Sequence, residues 1–183
     1  MRNRVLALLC VYSAAASAAE VTVNFKANLL ATTCAINLVV GSNQATNQTI
    51  DFGILTWADI EARGSNTRKD FSLQYSGCYI TQSGKKTTQT LDWIQTKVTA
   101  SNTWSGFPTE MKGASDVAVA GILYRTADLN TAISLNNKVI TWSSTERGNS
   151  KLPLSLLLRP TSASSTQHSG LYNATLTFVT TYQ

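Results

Sequence analysis

The sequence has 183 residues, enough for one domain with a substantial core, and only 14% of them are charged. Its formal net charge of +5 is small and its basic residues are dispersed, which argues against a nucleic-acid-binding protein. One His and three Cys leave little material for a zinc site or a His-based catalytic triad. The 25 Thr and 19 Ser favour β structure, because Thr is branched at Cβ and suits a pleated surface.

Residues 1–18 are predicted to be a signal peptide for export. Arg2 and Arg4 precede a short apolar run from Val5 to Tyr12, and residues 16–18 (Ala-Ser-Ala) fit the A-x-A rule for cleavage. The alternative, a transmembrane anchor, needs about 20 apolar residues, far more than this run supplies. Cleavage would leave 13 basic and 10 acidic residues, a formal net charge of +3.

Export would also leave two cysteines, Cys34 and Cys78. In an oxidising compartment such a pair is expected to form one disulfide, which would stabilise the fold by about 4 kcal/mol on the chain-entropy model. A free reactive thiol or a metal ligand is the alternative, but neither cysteine has a His or an acidic cluster nearby in the sequence.

The chain after the signal begins with an almost perfect alternation of apolar and polar residues. This period-two pattern predicts a strand of about ten residues. One face of that strand carries Val21, Val23, Phe25, Ala27 and Leu29.

Shorter alternating or apolar stretches predict the remaining strands. They lie at residues 34–38, 50–57, 71–75, 91–100, 117–123, 139–142, 152–158 and 172–182, with a turn or short helix at 58–66 and a loop or exposed hairpin at 81–90. Residues 41–48 and 101–115 are predicted as loops, and Pro153 is expected to place its strand at an edge or at a first position. Seven or so short strands with one disulfide predict a single all-β domain, an immunoglobulin-like sandwich.

No catalytic motif stands out. His168 lies in a polar Ser-Thr-Gln-His-Ser-Gly turn, typical of a solvated surface residue. No Gly-x-Ser-x-Gly elbow, phosphate-binding glycine loop or paired histidine occurs, so we expect no enzyme, no cofactor and no metal site. Trp104 lies in a Ser-Asn-Thr-Trp-Ser-Gly loop and is a candidate for stacking on a glycan; the alternative is that it anchors a core.

Four features together resemble a known family. They are the alternating segment 19–32 ending near Cys34, the stretch 71–78 (Phe-Ser-Leu-Gln-Tyr-Ser-Gly-Cys), the glycine-led stretch 170–178 (Gly-Leu-Tyr-Asn-Ala-Thr-Leu-Thr-Phe), and Tyr182 before Gln183. Their order and spacing are similar to those of fimbrial (pilus) subunits of the chaperone–usher pathway, in the type 1 pilin family.

The resemblance implies an incomplete immunoglobulin-like sandwich, completed by a donor strand from another subunit. It divides the chain into a signal peptide (1–18), an N-terminal donor-strand extension (19–33) and a pilin domain (34–183). Val21, Val23, Phe25, Ala27 and Leu29 would be the inserted face, with Ala27 where the family generally has Gly. The alternative is that residues 20–30 pair within their own domain as an ordinary first strand.

The C-terminal strand is expected to border the groove and to be read by a periplasmic chaperone before assembly. The resemblance assigns this role to Tyr172, Ala174, Leu176, Phe178, Tyr182 and Gln183. The implied partners are that chaperone, an outer-membrane usher and neighbouring pilin subunits, with a host receptor reached only through the assembled pilus. The implied location is the cell-surface fimbrium, reached through the periplasm.

The sequence is therefore interpreted as a structural subunit of an adhesive pilus that polymerises by donor-strand exchange, in a minor position at the tip or as an adaptor. One rival is a single-domain carbohydrate-binding adhesin at the pilus tip that uses Trp104. Another is a freestanding secreted sandwich whose first strand stays in its own sheet.

Overall fold

The structure, a computed structural model, describes residues 19–29, 34–82, 85–88, 91–115, 117–164 and 169–182. The strands of these residues are β1 (Ala19–Leu29), β2 (Ala35–Val40), β3 (Asn43–Ala45), β4 (Asn47–Leu55), β5 (Arg68–Ser76), β6 (Tyr79–Gln82), β7 (Lys85–Thr88), β8 (Ile94–Ala100), β9 (Thr103–Trp104), β10 (Phe107–Lys112), β11 (Val119–Arg125), β12 (Asp128–Ile133), β13 (Asn136–Thr141), β14 (Lys151–Pro160) and β15 (Tyr172–Tyr182). The helices are α1 (Trp57–Ala62), a 3-10 turn (Ser65–Thr67) and α2 (Ser144–Gly148). Within the described residues, no helix is long and apolar enough to cross a membrane.

The strands form two large sheets and one separate hairpin. The five-strand sheet has the order β13-β8-β15-β1-β4. The eight-strand sheet has the order β3-β2-β5-β14-β11-β10-β9, with β12 also paired to β11. Among the described residues, β6 and β7 pair with each other and with no further strand. The predicted all-β sandwich is confirmed.

The core lies between the two sheets, where alternate residues of each strand meet. Leu152, Leu154, Leu156 and Leu158 of β14 are fully buried on the eight-strand side. Across the core, the rings of Phe71 and Phe178 meet edge to face with centroids 6.1 Å apart. Such two-sided burial follows directly from period-two alternation on both sheets.

Pro153 does not mark an edge strand. β14 lies between β5 and β11, and Pro153 is its third residue. The prediction of an edge or first position is wrong. Proline is tolerated inside the sheet here because β11 ends at Arg125, opposite Leu154, so the β11–β14 ladder does not need an N–H from Pro153. The Pro153 carbonyl still accepts a hydrogen bond from Thr126 N at 3.2 Å.

Several polar stretches form strands although their sequences show no alternating pattern. The predicted loops 41–48 and 101–115 contain β3, β9, β10 and the start of β4, and β12 and α2 were not predicted at all. The backbone ladder holds these short segments, so their side chains show little alternation. The predicted helix or turn at 58–66 is confirmed as α1 with the 3-10 turn, and the predicted hairpin at 81–90 corresponds to β6 and β7.

Candidate assembly groove

The strand β1 occupies a slot between β15 and β4 in the five-strand sheet. It runs parallel to β15, from Val21 beside Tyr172 to Leu29 beside Thr180, and antiparallel to β4. Neighbouring strands lie about 4.8 Å apart, so the slot is about 9.6 Å wide between the backbones of β15 and β4. Taking β1 out would leave one edge of β15 and one edge of β4 without hydrogen-bonding partners.

The core side of the slot is apolar along almost its whole length. Tyr172, Ala174, Leu176, Phe178 and Thr180 of β15 are all buried. The parallel register places the backbone positions of the predicted donor residues beside them: Val21, Val23, Phe25, Ala27 and Leu29 pair in turn with Tyr172, Ala174, Leu176, Phe178 and Thr180. Val23, whose side chain is described, is completely buried.

The solvent side of the slot is held by short polar side chains. Thr49 Oγ1 of β4 donates to Asn24 Oδ1 at 3.0 Å, and Asn24 Nδ2 donates to Asn173 Oδ1 at 3.3 Å. These two cross-strand bonds, one exposed and one partly buried, join β4, β1 and β15. Each contributes little, because water competes for the same groups.

Tyr172 fixes the first end of the groove to the opposite sheet. Its hydroxyl donates to the Met111 carbonyl at 2.7 Å and accepts from Gly121 N at 2.9 Å. A Cβ at Gly113 or Gly121 would lie 2.8 or 2.9 Å from atoms of Tyr172, so both positions need glycine. Burial raises the pKa of Tyr172 well above its ordinary value, although the hydrogen bond from Gly121 N opposes the shift.

The other end of the groove is closed by the disulfide and a hydroxyl pair. Cys34 and Cys78 form the predicted disulfide, and Cys34 N donates to the Tyr182 hydroxyl at 3.0 Å. A second set of buried polar groups lies nearby: Thr96 and Thr180 share a hydrogen bond of 3.0 Å, and Trp142 Nε1 donates to Thr96 Oγ1 at 2.9 Å. Sequence patterns give no signal for this trio, because its members are far apart in the chain.

The length of the tether sets the direction of β1. From Leu29 to Cys34 is five residue steps, about 18 Å at full extension. Cys34 lies beside Tyr182, so Leu29 can reach the Thr180 end of β15. The Tyr172 end lies about 33 Å from Tyr182 along the strand, beyond the tether. Within one chain, only the parallel orientation is accessible.

A family model described as "Fimbrial protein" matches residues 23–183. The chain belongs to the fimbrial protein family.

Solved structures show the same fold as this fimbrial subunit. The P pilus rod subunit PapA is 19% identical with a TM-score of 0.58, and the match covers 84% of this chain and 94% of PapA. A chain from the structure of a chaperone–usher pilus is also 19% identical with a TM-score of 0.51, covering 74% of this chain and 82% of that one. No curated protein gave a significant match.

Membership of the family settles the class of function. The chain is a structural subunit of a cell-surface fimbria, where it assembles with other subunits, and it is not an enzyme. The roles predicted for individual residues stay predictions. Gln183, His168 and residues 1–18 lie outside the described residues.

Trp104 lies on the outer side of the eight-strand sheet, away from the groove. It is half-buried in β9 and packs against a small apolar cluster that includes Ala120, Ile122 and Tyr124. Its Nε1 donates to the Val119 carbonyl at 3.3 Å, and Lys112 Nζ lies 4.8 Å from its ring centroid. The indole N–H is therefore already engaged within the fimbrial subunit.

Glu110 is a buried carboxylate that sequence reasoning missed. It accepts from Thr161 Oγ1 at 2.6 Å, from Ser162 N and Oγ at 3.0 and 2.7 Å, and from Arg159 NH2 at 3.3 Å. Burial disfavours its charge, but these hydrogen bonds and the Arg159 charge outweigh that effect and lower the pKa of Glu110. It attaches the end of β14 to β10. The described residues hold no group of three or more His, Cys, Asp or Glu that could bind a metal.

Proposed function

We propose that this fimbrial subunit polymerises by donor-strand exchange, with residues 19–33 of one copy entering the groove of the next. The observation that carries the proposal is the parallel position of β1 between β15 and β4. A strand that fills the slot from within its own chain is confined to the parallel direction by its tether. A strand from a second chain has no such restriction.

Backbone pairing allows a donor strand from another chain. A reversed donor would be antiparallel to β15 and parallel to β4, the opposite of β1, so one ladder of each kind is kept and no backbone pairing is lost. A donor strand from another copy can enter antiparallel to β15 and keep the same face towards the core. Turning the strand about Phe25, which stays beside Leu176, brings Val23 beside Phe178 and Ala27 beside Ala174.

A chaperone and an usher are part of the proposal. A chain whose β1 is withdrawn exposes the buried row of β15 together with two unpaired strand edges, and such edges invite aggregation. A periplasmic chaperone that pairs a strand of its own with β15 would prevent this, and an usher would receive the complex. Recovery of the chain with a chaperone from the periplasm tests this step.

Disulfide trapping distinguishes the two directions of the strand. In the single chain, the backbone of Lys26 pairs with that of Thr177. Lys26→Cys with Thr177→Cys is therefore expected to form a bond within one chain. Asn24→Cys with Thr177→Cys pairs only in the reversed strand, because two positions of offset exceed the Cα separation that a disulfide tolerates.

The expected result in assembled fibres is a ladder of interchain disulfides for Asn24→Cys with Thr177→Cys on a non-reducing gel. A ladder from Thr22→Cys or Lys26→Cys with Thr177→Cys also supports exchange, with a register two residues away. If all three pairs give only bonds within one chain, donor-strand exchange is wrong for this subunit.

A minor position at the tip or as an adaptor remains part of the proposal. It rests on the four tryptophans and on Ala27 at the place where the family generally has Gly. Labelling fibres with an antibody against this subunit tests it, because a minor subunit would label isolated points rather than the whole length.

A further inference from the structure

Two exposed apolar residues flank the first end of the groove. Ile54 of β4 is 71% exposed, and Leu171, immediately before β15, is 47% exposed. In the single chain, Ile54 pairs with Glu20, the neighbour of Val21, and Val21 pairs with Tyr172. Ile54 and Leu171 therefore lie on either side of the slot, at the level where β1 begins.

This level is where a reversed donor strand leaves the groove. In the antiparallel direction, Leu29 of the donor lies near Tyr172, and five residue steps lead from it to Cys34 of the donor's own domain. The domain of the donor then lies within about 18 Å of the groove end. Ile54 and Leu171 border the same opening.

We infer that Ile54 and Leu171 form a docking surface for the disulfide end of the next copy of this chain, an inference that rests on the proposed exchange. That end consists of Cys34, Cys78 and the β6–β7 hairpin, which begins one residue after Cys78. The contact is head to tail, the type of interface that generates open filaments.

Charge supports the same partner. The hairpin segment contains Lys85 and Lys86 and no acidic residue. The segment from Asp51 to Arg63, which contains Ile54, carries three carboxylates (Asp51, Asp59 and Glu61) and one basic residue, a net charge of −2. Opposite charges on the two sides of a junction favour this pairing over contact between two identical ends.

The test compares fibres of the full chain carrying Ile54→Ser or Leu171→Ser with wild-type fibres. Each substitution is expected to raise the rate of fibre dissociation in denaturant about tenfold, since an apolar side chain is returned to water at every junction. Val139→Ser is the matched control, because Val139 is 44% exposed on β13, at the opposite edge of the same sheet. It is expected to leave the rate unchanged.

A synthetic peptide of residues 19–33 separates docking from strand insertion. The peptide has no domain behind it, so it is expected to bind Ile54→Ser and Leu171→Ser as well as it binds wild type. The hairpin is tested by Lys85→Glu with Lys86→Glu, which is expected to accelerate dissociation in the same assay, with the effect reduced at high salt.

Three results would overturn the inference. If Ile54→Ser and Leu171→Ser fibres dissociate at the rate of Val139→Ser fibres, the surface is not a junction. If the lysine variant behaves as wild type, the hairpin is not the occupant. If wild-type chains neither bind the peptide nor form fibres, the proposed exchange fails as well, which distinguishes its failure from that of the docking surface alone.

Discussion

The side chain of Tyr172 provides the hydrogen-bonding partner of two backbone groups of the opposite sheet. Its hydroxyl pairs with Met111 O and Gly121 N, and the whole side chain is buried. The sequence predicts the position through alternation along β15. It does not predict the hydroxyl partners, because these lie on strands more than fifty residues away.

Tyr172→Phe is expected to lower the free energy of unfolding by about 2 kcal/mol. The ring still fills its site, but a buried N–H and a buried carbonyl lose their partner. Urea unfolding monitored by tryptophan fluorescence measures the change. Tyr124→Phe, in the smaller apolar cluster, is the control and is expected to change stability by less. Equal effects of the two substitutions would contradict this role for the hydroxyl.

The buried carboxylate of Glu110 is expected to make the free energy of unfolding depend on pH. Its pKa is lowered in the folded chain, so its contribution is complete above the pKa of an unfolded Glu, about 4.3. The contribution is lost as the pH falls towards the folded value. Glu110→Gln is expected to destabilise the chain by about 1–3 kcal/mol at pH 7, and its difference in unfolding free energy from wild type should narrow as the pH falls below the pKa of an unfolded Glu.

Unfolding by urea at a series of pH values measures that gap. Glu61→Gln, which removes one carboxylate from the exposed surface of α1, is the matched substitution. A constant difference between wild type and Glu110→Gln across the whole range would contradict the assignment.

Among the elements, long strands were predictable and short ones were not. β1, β14 and β15 have 10 or 11 residues each and alternate clearly, so their core faces could be identified from the sequence. β9 has two residues, and β3 has the sequence Asn-Gln-Ala. Such elements exist because a neighbouring strand offers hydrogen bonds, a fact that no local pattern contains.

The direction of β1 was also beyond sequence reasoning. Alternation identifies the face of a strand but not its neighbour, and a face is unchanged when the strand is reversed. The direction follows from the tether at residues 30–33 together with the hydrogen bond from Cys34 to Tyr182. The number of residues in the tether can be read from the sequence, but only the folded position of Cys34 shows which end of β15 the tether starts from.

Lengthening the tether is expected to convert the polymerising chain into a monomer. An insertion of about ten Gly and Ser residues between Leu29 and Cys34 adds about 33 Å, enough for β1 to turn and enter its own groove antiparallel to β15. Light scattering should then show no fibres. The same insertion between Ala127 and Asp128, in the exposed turn between β11 and β12, is the control and should leave fibre formation intact. Fibres of normal yield from the longer tether would contradict the argument.

On the scale of the whole molecule, the disulfide connects the start of the domain to the end of β5. Cys34 and Cys78 are separated by 44 residues. Replacing both by Ser is expected to cost about 4 kcal/mol of unfolding free energy on the chain-entropy model. Guanidinium unfolding of the variant against oxidised wild type measures this loss. A difference below about 1 kcal/mol would show that the loop is already ordered without the bond.

The slot between β15 and β4 also determines the ends of a fibre. If every copy inserts its N-terminal strand into one neighbour and receives a strand from the other, a fibre has one uninserted strand at one end and one empty slot at the other. The copy with the empty slot has already inserted its own strand into its neighbour, so it cannot fill that slot itself. Growth is then directional, and a different molecule is needed to finish each extremity.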